Sequence, residues 1–464
     1  MNAGCTAVAK DAGFSEVQKA MAGRLDQRVE WNRNTAEDAA VSEAVRQMLQ
    51  TELGVDETLQ IALLNNRNLQ ATYEDLGIAQ ADLVQAGLLR NPILSFERRF
   101  SGQAAEFDAV QDFVEALLIP LRKRVAGAAF ELAKLRVAGV VVSFAVDVRA
   151  AFYRLQGAEQ MLAMRRAVVD STEASAELSR RLRVAGNITE LALRMEERLA
   201  SQARLDLATA DEDVVELHER LNVLMGLWGS DTAWTLARGL PDLPAREPSA
   251  QGLESQAVAQ RLDMAAARQD IIAAAERLGL TSISRLVPGG SVGFHYEHEP
   301  DPFFSIGPSL HWVLPIFDWG QGAVPRDRAV LRQSQQRYIA LAIEARSQVR
   351  AAYSRMRTAR DRAEFYRQMV LPLQGDILRQ AQLQYNAMIL GPLQLLQAKQ
   401  GEIDTGRDYI EAQRDYWVTR TELERALGGR FDNAMANAEV PPATLFNGSA
   451  KGGAHIHTDT EVDQ

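Results

Sequence analysis

The sequence predicts a mostly helical protein with a small β part, built as a duplication of one unit, and three observations carry that prediction. Short apolar motifs recur at one offset: Leu69-Gln70-Ala71 returns as Met264-Ala265-Ala266, Pro92 as Pro288, and Leu118-Ile119-Pro120-Leu121 as Leu314-Pro315-Ile316, with spacings of 195, 196 and 195 residues. Unrelated domains would not keep that register. Long heptad seams follow each copy of these motifs, and such seams belong to long packed helices. Between the proline stop and the seam, each copy has two short apolar runs separated by polar residues, the pattern of a β-hairpin.

In chain order, residues 1–55 form an N-terminal segment. It opens on Asn2-Ala3-Gly4-Cys5, small residues ending in the sole cysteine. That run resembles the end of a bacterial lipoprotein signal, although its third-last position is Asn2 rather than Leu and no apolar stretch precedes it. Two readings stay open: lipidation at Cys5 with a start further upstream, or an ordinary exposed cysteine. The first repeat, 56–228, begins with a helical segment over 56–89 in which Leu59, Ala62, Leu63, Leu69, Ile78 and Leu83 alternate with polar positions. Asn91-Pro92 ends it. Strands are expected at Ile93–Phe100 and Phe113–Leu121, joined through Ser101-Gly102-Gln103.

The following helix carries Val137, Val141, Phe144, Val148, Ala151, Leu155, Ala158 and Leu162, spaced alternately by four and three. A run of about 60 residues would be roughly 90 Å long at 1.5 Å per residue. It ends at Val184-Ala185-Gly186-Asn187, where Gly186 suits a left-handed cap and Thr189 suits the N-cap of the returning helix.

A connector, 229–253, is rich in Gly, Pro and Asp. The second repeat, 254–428, runs in the same order. Asp270–Leu280 lies in its short helix, and strands are expected at Ser291–His298 and Ile306–Leu314. A second seam runs through Tyr338, Ala342, Ala345, Val349, Ala352, Met356, Ala359, Ala363, Tyr366 and Val370. Its turn is Ala387-Met388-Ile389-Leu390, and Pro392 suits the first turn of the last helix. The tail, 429–464, is polar and Gly-rich and reads as disordered.

Composition narrows the function. With 47% hydrophobic residues the chain can build a core, and a net charge of −10 argues against a general nucleic-acid binder. A single cysteine excludes an intrachain disulfide and a cysteine-cluster metal site. No stretch approaches the roughly 20 apolar residues of a membrane helix, so a membrane role would use strands or a lipid anchor. None of the six histidines stands in an HExxH spacing and no Gly-rich phosphate loop is present, so neither an enzyme nor a cofactor is expected.

The ordered set of Leu83-Val84-Gln85-Ala86-Gly87-Leu88 with Asn91-Pro92, Ala185-Gly186-Asn187-Ile188-Thr189-Glu190-Leu191, Gly307-Pro308-Ser309-Leu310, Pro315-Ile316-Phe317-Asp318-Trp319-Gly320-Gln321, and Pro372 followed by Tyr385 resembles the TolC-like family of outer-membrane efflux proteins. Several of these motifs look closest to the heavy-metal and cation efflux branch of tripartite pumps. The resemblance covers about residues 56 to 428.

It implies a homotrimer in which each protomer gives two β-hairpins to a twelve-stranded transmembrane barrel and its helical hairpins to a periplasmic tunnel. A periplasmic adaptor, an inner-membrane transporter and outer-membrane lipid are the implied partners. Closure across subunits agrees with the physics, because strand edges cannot stay open in lipid. The loops Ser101–Asp112 and Glu299–Phe304 are then expected outside the cell.

By the same resemblance the helical turns Val184, Ala185, Gly186, Asn187 and Ala387, Met388, Ile389, Leu390 are the adaptor-contact tips, which also serve simply as helix caps. Acidic pore positions of the family, aligned on Tyr385, fall at Gln394 and Gln397, with Glu190 the acid of the first turn. These glutamines read equally as an ordinary solvated face. His295 and Glu297 on one strand face cannot chelate together with His298 on the other, so no metal site is expected in the hairpin. His455 and His457 in the tail read as solvated. Competing readings are a type I secretion exit channel and a soluble coiled-coil scaffold.

Overall fold

The structure is a computed structural model, and it describes residues 11–33, 35–99, 104–237, 239–245, 247, 249–298 and 304–429. Cys5, the hairpin residues 100–103 and 299–303, and the tail from 430 with His455 and His457 lie outside the described residues.

Two short helices, α1 (Phe14–Leu25) and α2 (Ala36–Met48), precede α3 (Val55–Asn65) and α4 (Arg67–Ala86). The predicted single helix over 56–89 is thus broken at Asn66. Its backbone is extended there, and its side-chain oxygen accepts the Leu69 amide hydrogen at 2.9 Å, capping α4. The hairpin β1 (Ile93–Arg99) and β2 (Ala104–Asp112) follows, then α5 (Val114–Val184) and α6 (Glu190–Met225). The second half repeats the order with α7 (Leu253–Gln260), α8 (Leu262–Ser284), β3 (Gly290–His298), β4 (Phe304–Trp312), α9 (Ala323–Phe365), α10 (Leu371–Asn386) and α11 (Pro392–Leu427). At 71 residues α5 is about 107 Å long at 1.5 Å per residue. No helix among the described residues is long and apolar enough to cross a membrane.

The expected strand Phe113–Leu121 is wrong. Val114–Leu121 are the start of α5, Phe113 is its N-cap residue, and the second strand is Ala104–Asp112, within the segment expected to be a loop. A short apolar run does not by itself separate strand from helix. Just before the N-cap residue, the Asp112 carboxylate accepts the Glu115 amide hydrogen at 3.1 Å and satisfies one donor of the first turn. Pro120 stands inside α5, at its seventh residue, where its missing N–H removes one backbone hydrogen bond of the helix. Its counterpart Pro315 lies instead in irregular chain after β4, which ends at Trp312 rather than Leu314.

Every position of both seams is buried or half-buried, as their spacing predicts. Val137, Val141, Val148, Ala151 and Leu155 lie in the main core, as do Val349, Ala352 and Met356. Between α9 and α10 the helix widens into a π turn, Tyr366–Val370. Pro372 follows at once, and a wider turn relieves the clash of its ring with the carbonyl four residues back.

The main core lies around the middle of the helices. Phe14, Val17, Met21 and Leu25 of α1 are buried there, with Phe14 edge-on to Tyr73 at 5.0 Å. The connector also belongs to it. Leu53 and Leu236 form a parallel bridge, Trp234 donates to Asn222 at 2.8 Å, and Trp417 donates to the Pro241 carbonyl at 2.9 Å. Across this core Arg149 of α5 meets Glu424 of α11 at 2.9 Å, with side chains only 6% and 5% exposed.

The four strands form one antiparallel sheet in the order β1-β2-β3-β4, so the two hairpins pair through β2 and β3. β1 and β4 have no outer neighbour among the described residues.

Candidate channel surfaces

Strand register sorts the sheet into two chemically different faces. Phe96, Phe107, Tyr296 and Ile306 share one register line, and Leu94, Ala109, Phe294 and Pro308 the next on the same face. Their large side chains are exposed, as are Val292 and Leu310. The other face carries Ser95, Glu97, Glu106, Asp108, His295, Glu297, Ser305 and Ser309. An apolar face open to the surroundings and a polar face opposite it is the alternation of a membrane strand that lines an aqueous lumen. Where the sheet meets the helices, Leu117, Leu314, Ile316, Phe317 and Trp319 add a further exposed apolar belt.

At the far end of the helices both turns adopt the same hydrogen-bonded cap. In the first, Asn187 donates to the Leu182 carbonyl at 2.8 Å and Gly186 to Arg183 at 3.0 Å, with Gly186 at φ +79°. In the second, Ile389 donates to Gln384 at 2.9 Å and Met388 to Tyr385 at 3.0 Å. This is the Schellman pattern, whose left-handed residue is normally glycine. Here Met388 holds it, at φ +59°, while its side chain is 93% exposed. Thr189 caps α6 as expected, accepting the Ala192 amide hydrogen at 3.2 Å.

Met388→Gly should remove backbone strain worth about 1 kcal/mol, since a side chain in the left-handed region costs roughly that. Slower hydrogen exchange of the Ile389 amide would register it, and unchanged exchange would mean the turn carries no strain.

Val184, Ala185, Gly186 and Asn187 are exposed, as are Ala387, Met388 and Ile389. Leu390 is half-buried and packs with Tyr385 against Ala381, Leu395 and Ala398. Tyr385 is therefore a packing residue of the tip within the protomer. Glu190 is not a free acid: Arg183 and Arg194 approach it at 3.2 and 2.9 Å. Further along, Arg181 and then Arg180 hydrogen-bond Glu177 and hold its carboxyl below the usual range. Gln394 and Gln397 lie exposed on one side of α11, away from buried Leu395 and Ala398. The Gln394 side chain folds back over Gly391 at the start of the helix. Higher up, Lys399 of α11 reaches Ser175 of α5 at 2.9 Å beside a cavity of about 720 Å³ between the two helical hairpins.

The cross-strand neighbours of His295 were hidden from the sequence. Asp108 Oδ1 lies 2.7 Å and Glu106 Oε1 3.7 Å from His295 Nδ1, although both carboxylates fell in the segment expected to be a loop. The strand alternation considered above concerned β3 alone, and β2 places two carboxylates beside His295.

No family model matches the chain. Solved structures of outer-membrane channels share this fold. A membrane protein from Pseudomonas aeruginosa superposes with a TM-score of 0.71 at 20% identity, covering 81% of this chain and 90% of that one. CusC gives 0.66 at 18% identity, with 82% and 93% covered. The open-state MtrE outer-membrane channel of Neisseria gonorrhoeae gives 0.64 at 18%, with 81% and 89% covered. Among curated proteins the chain is similar to the cobalt-zinc-cadmium resistance protein CzcC of Cupriavidus metallidurans. The two are 25% identical over 334 residues, 69% of this chain and 77% of CzcC.

Proposed function

We propose that the chain is the outer-membrane exit duct of a tripartite efflux system that expels divalent metal cations, acting passively behind an inner-membrane transporter and a periplasmic adaptor. The observation that carries this reading is the two-faced sheet set at one end of helices about 100 Å long. A soluble scaffold would have no use for the exposed face of Phe96, Phe294, Ile306 and Leu310. Likeness to CzcC supports metal cations as cargo.

Three protomers would supply twelve strands and satisfy the open edges of β1 and β4. The aromatic residues Phe317 and Trp319 would then sit at the membrane interface. In this reading the repeats 56–228 and 254–428 are two copies of one unit, the N-terminal segment and connector strap the middle of the tunnel, and Cys5 adds a lipid anchor. The tips at Val184–Asn187 and Ala387–Leu390 meet the adaptor, with Met388 and Ile389 presenting apolar surface to it.

The test is complementation. In a host lacking its own channel, this chain together with its adaptor and transporter should restore zinc and cobalt tolerance and lower cellular metal content. A detergent-extracted trimer that restores neither would overturn the metal reading, and a detergent-independent monomer would overturn the duct.

The gate can be examined separately. If Gln394 and Gln397 ring the narrow end, Gln→Glu at either position adds three carboxylates around one axis, where little water screens them. Planar-bilayer recordings should then show increased cation selectivity and easier block by multivalent cations. Parental selectivity in both variants would assign these side chains to an ordinary helix face.

A further inference from the structure

We propose that Glu106, Asp108 and His295 form a divalent-cation site on the polar face of the sheet. One donor atom from each residue lies within 4.8 Å of the others. Donors held at 2.0–2.2 Å from a zinc-sized ion lie about 3–4 Å apart, so rotamer changes of about an ångström suffice to close the set. The strands fix this convergence. Asp108 is directly opposite His295 in the β2–β3 register, and Glu106 is opposite Glu297 one step along on the same face.

Two further features point to a cation. Glu97, Glu106 and Glu297 occupy a single register line across β1, β2 and β3. They place further oxygen donors beside the cluster, the ligand type that suits hard and borderline divalent ions. The second feature is the surroundings of the imidazole. With Nδ1 turned to Asp108 and Glu106, the other ring nitrogen faces Glu297 Oε2 at 3.8 Å. At 3.8 Å this is an electrostatic contact and not a hydrogen bond, so Glu297 adds negative charge beside the ring. One nitrogen and two carboxylate donors suit zinc, cobalt or manganese and not a soft ion such as Cu(I), which prefers sulfur.

The donor geometry stands on the sheet alone. Its place in a lumen, on the half of the strands nearer the hairpin ends than the helices, rests on the channel reading above. In a closed trimer three such sites would surround the outer mouth of the duct, so the ion would meet carboxylate and imidazole donors last before leaving.

The experiment uses the full chain purified in detergent, with His455→Ala and His457→Ala so that the tail contributes no imidazole. After chelation and buffer exchange, calorimetric titration with Zn²⁺ should show one ion per chain. Cu²⁺ used as a probe should give an electron paramagnetic resonance spectrum with coupling to one imidazole nitrogen. His295→Gln and Asp108→Asn should each weaken zinc binding at least about tenfold while the oligomer on the gel is unchanged. Absence of zinc binding, equal binding by parent and both variants, or a copper spectrum without nitrogen coupling would each overturn the site. Should the variants not assemble, the spectrum of the otherwise parental chain decides. Zinc binding without metal tolerance in cells would overturn the cargo reading and leave the site, whereas tolerance without zinc binding would overturn the site alone.

Discussion

Replacing Glu424 with Gln should destabilise the helical body by about 3–5 kcal/mol, the usual loss when one partner of a buried ion pair is removed. The Arg149 guanidinium sits between α5 and α11 with its side chain 6% exposed, and its Nη2 has no hydrogen-bond partner among the described residues. Without the carboxylate this cation stays buried. Arg420 also approaches Glu424, at 3.4 Å, so the substitution unbalances two guanidinium groups. The reverse experiment separates burial cost from pair strength. Arg149→Met with Glu424→Leu removes both charges, and apolar replacements of a buried pair are often neutral or stabilising. The double variant should therefore recover most of the loss, and denaturant unfolding of the parent, Arg149→Met, Glu424→Leu and the double variant closes the cycle. A single variant within about 1 kcal/mol of the parent would mean that water reaches the pair.

The second large effect belongs to the apolar face of the sheet. Phe294→Arg places a guanidinium on the same face as Phe96 and Ile306. In the proposed trimeric barrel such a charge near the middle of the bilayer would cost about 2–4 kcal/mol in each of three protomers. Assembly into a heat-modifiable trimer in the outer membrane should fall sharply. Ser95→Arg on the opposite face meets Asp108 across the strand pair and should leave assembly near parental. Equal tolerance of both substitutions would remove the membrane assignment of the sheet.

How far the sequence could be read follows from the range of each signal. The seam from Val137 to Leu162 was legible because a heptad is a local pattern repeated many times, and the Gly186 and Thr189 cap was legible because both residues act within one turn. Phe113–Leu121 was misread because its apolar run fits either period, and the Asp112 contact with the first turn of α5 stands just outside that run. The connector composition suggested a loop, yet Leu236 and the Pro241 carbonyl are clamped by residues far away in sequence. At the candidate metal site the difficulty was greatest. Asp108 and His295 are 187 positions apart, and no spacing rule joins them before β2 is paired with β3. The gate is different in kind: exposure of Gln394 and Gln397 in one protomer is compatible with a pore or with bulk solvent.

The edges of β1 and β4, without an outer neighbour among the described residues, have a thermodynamic corollary. The main helical core is buried within one chain, but the sheet of a trimeric duct would complete its hydrogen bonds only when three chains meet. Mass action would then enter the stability of the sheet more directly than that of this core. Dilution should lower the melting temperature of the strands more than that of the core, so a single melting temperature would not describe such an assembly.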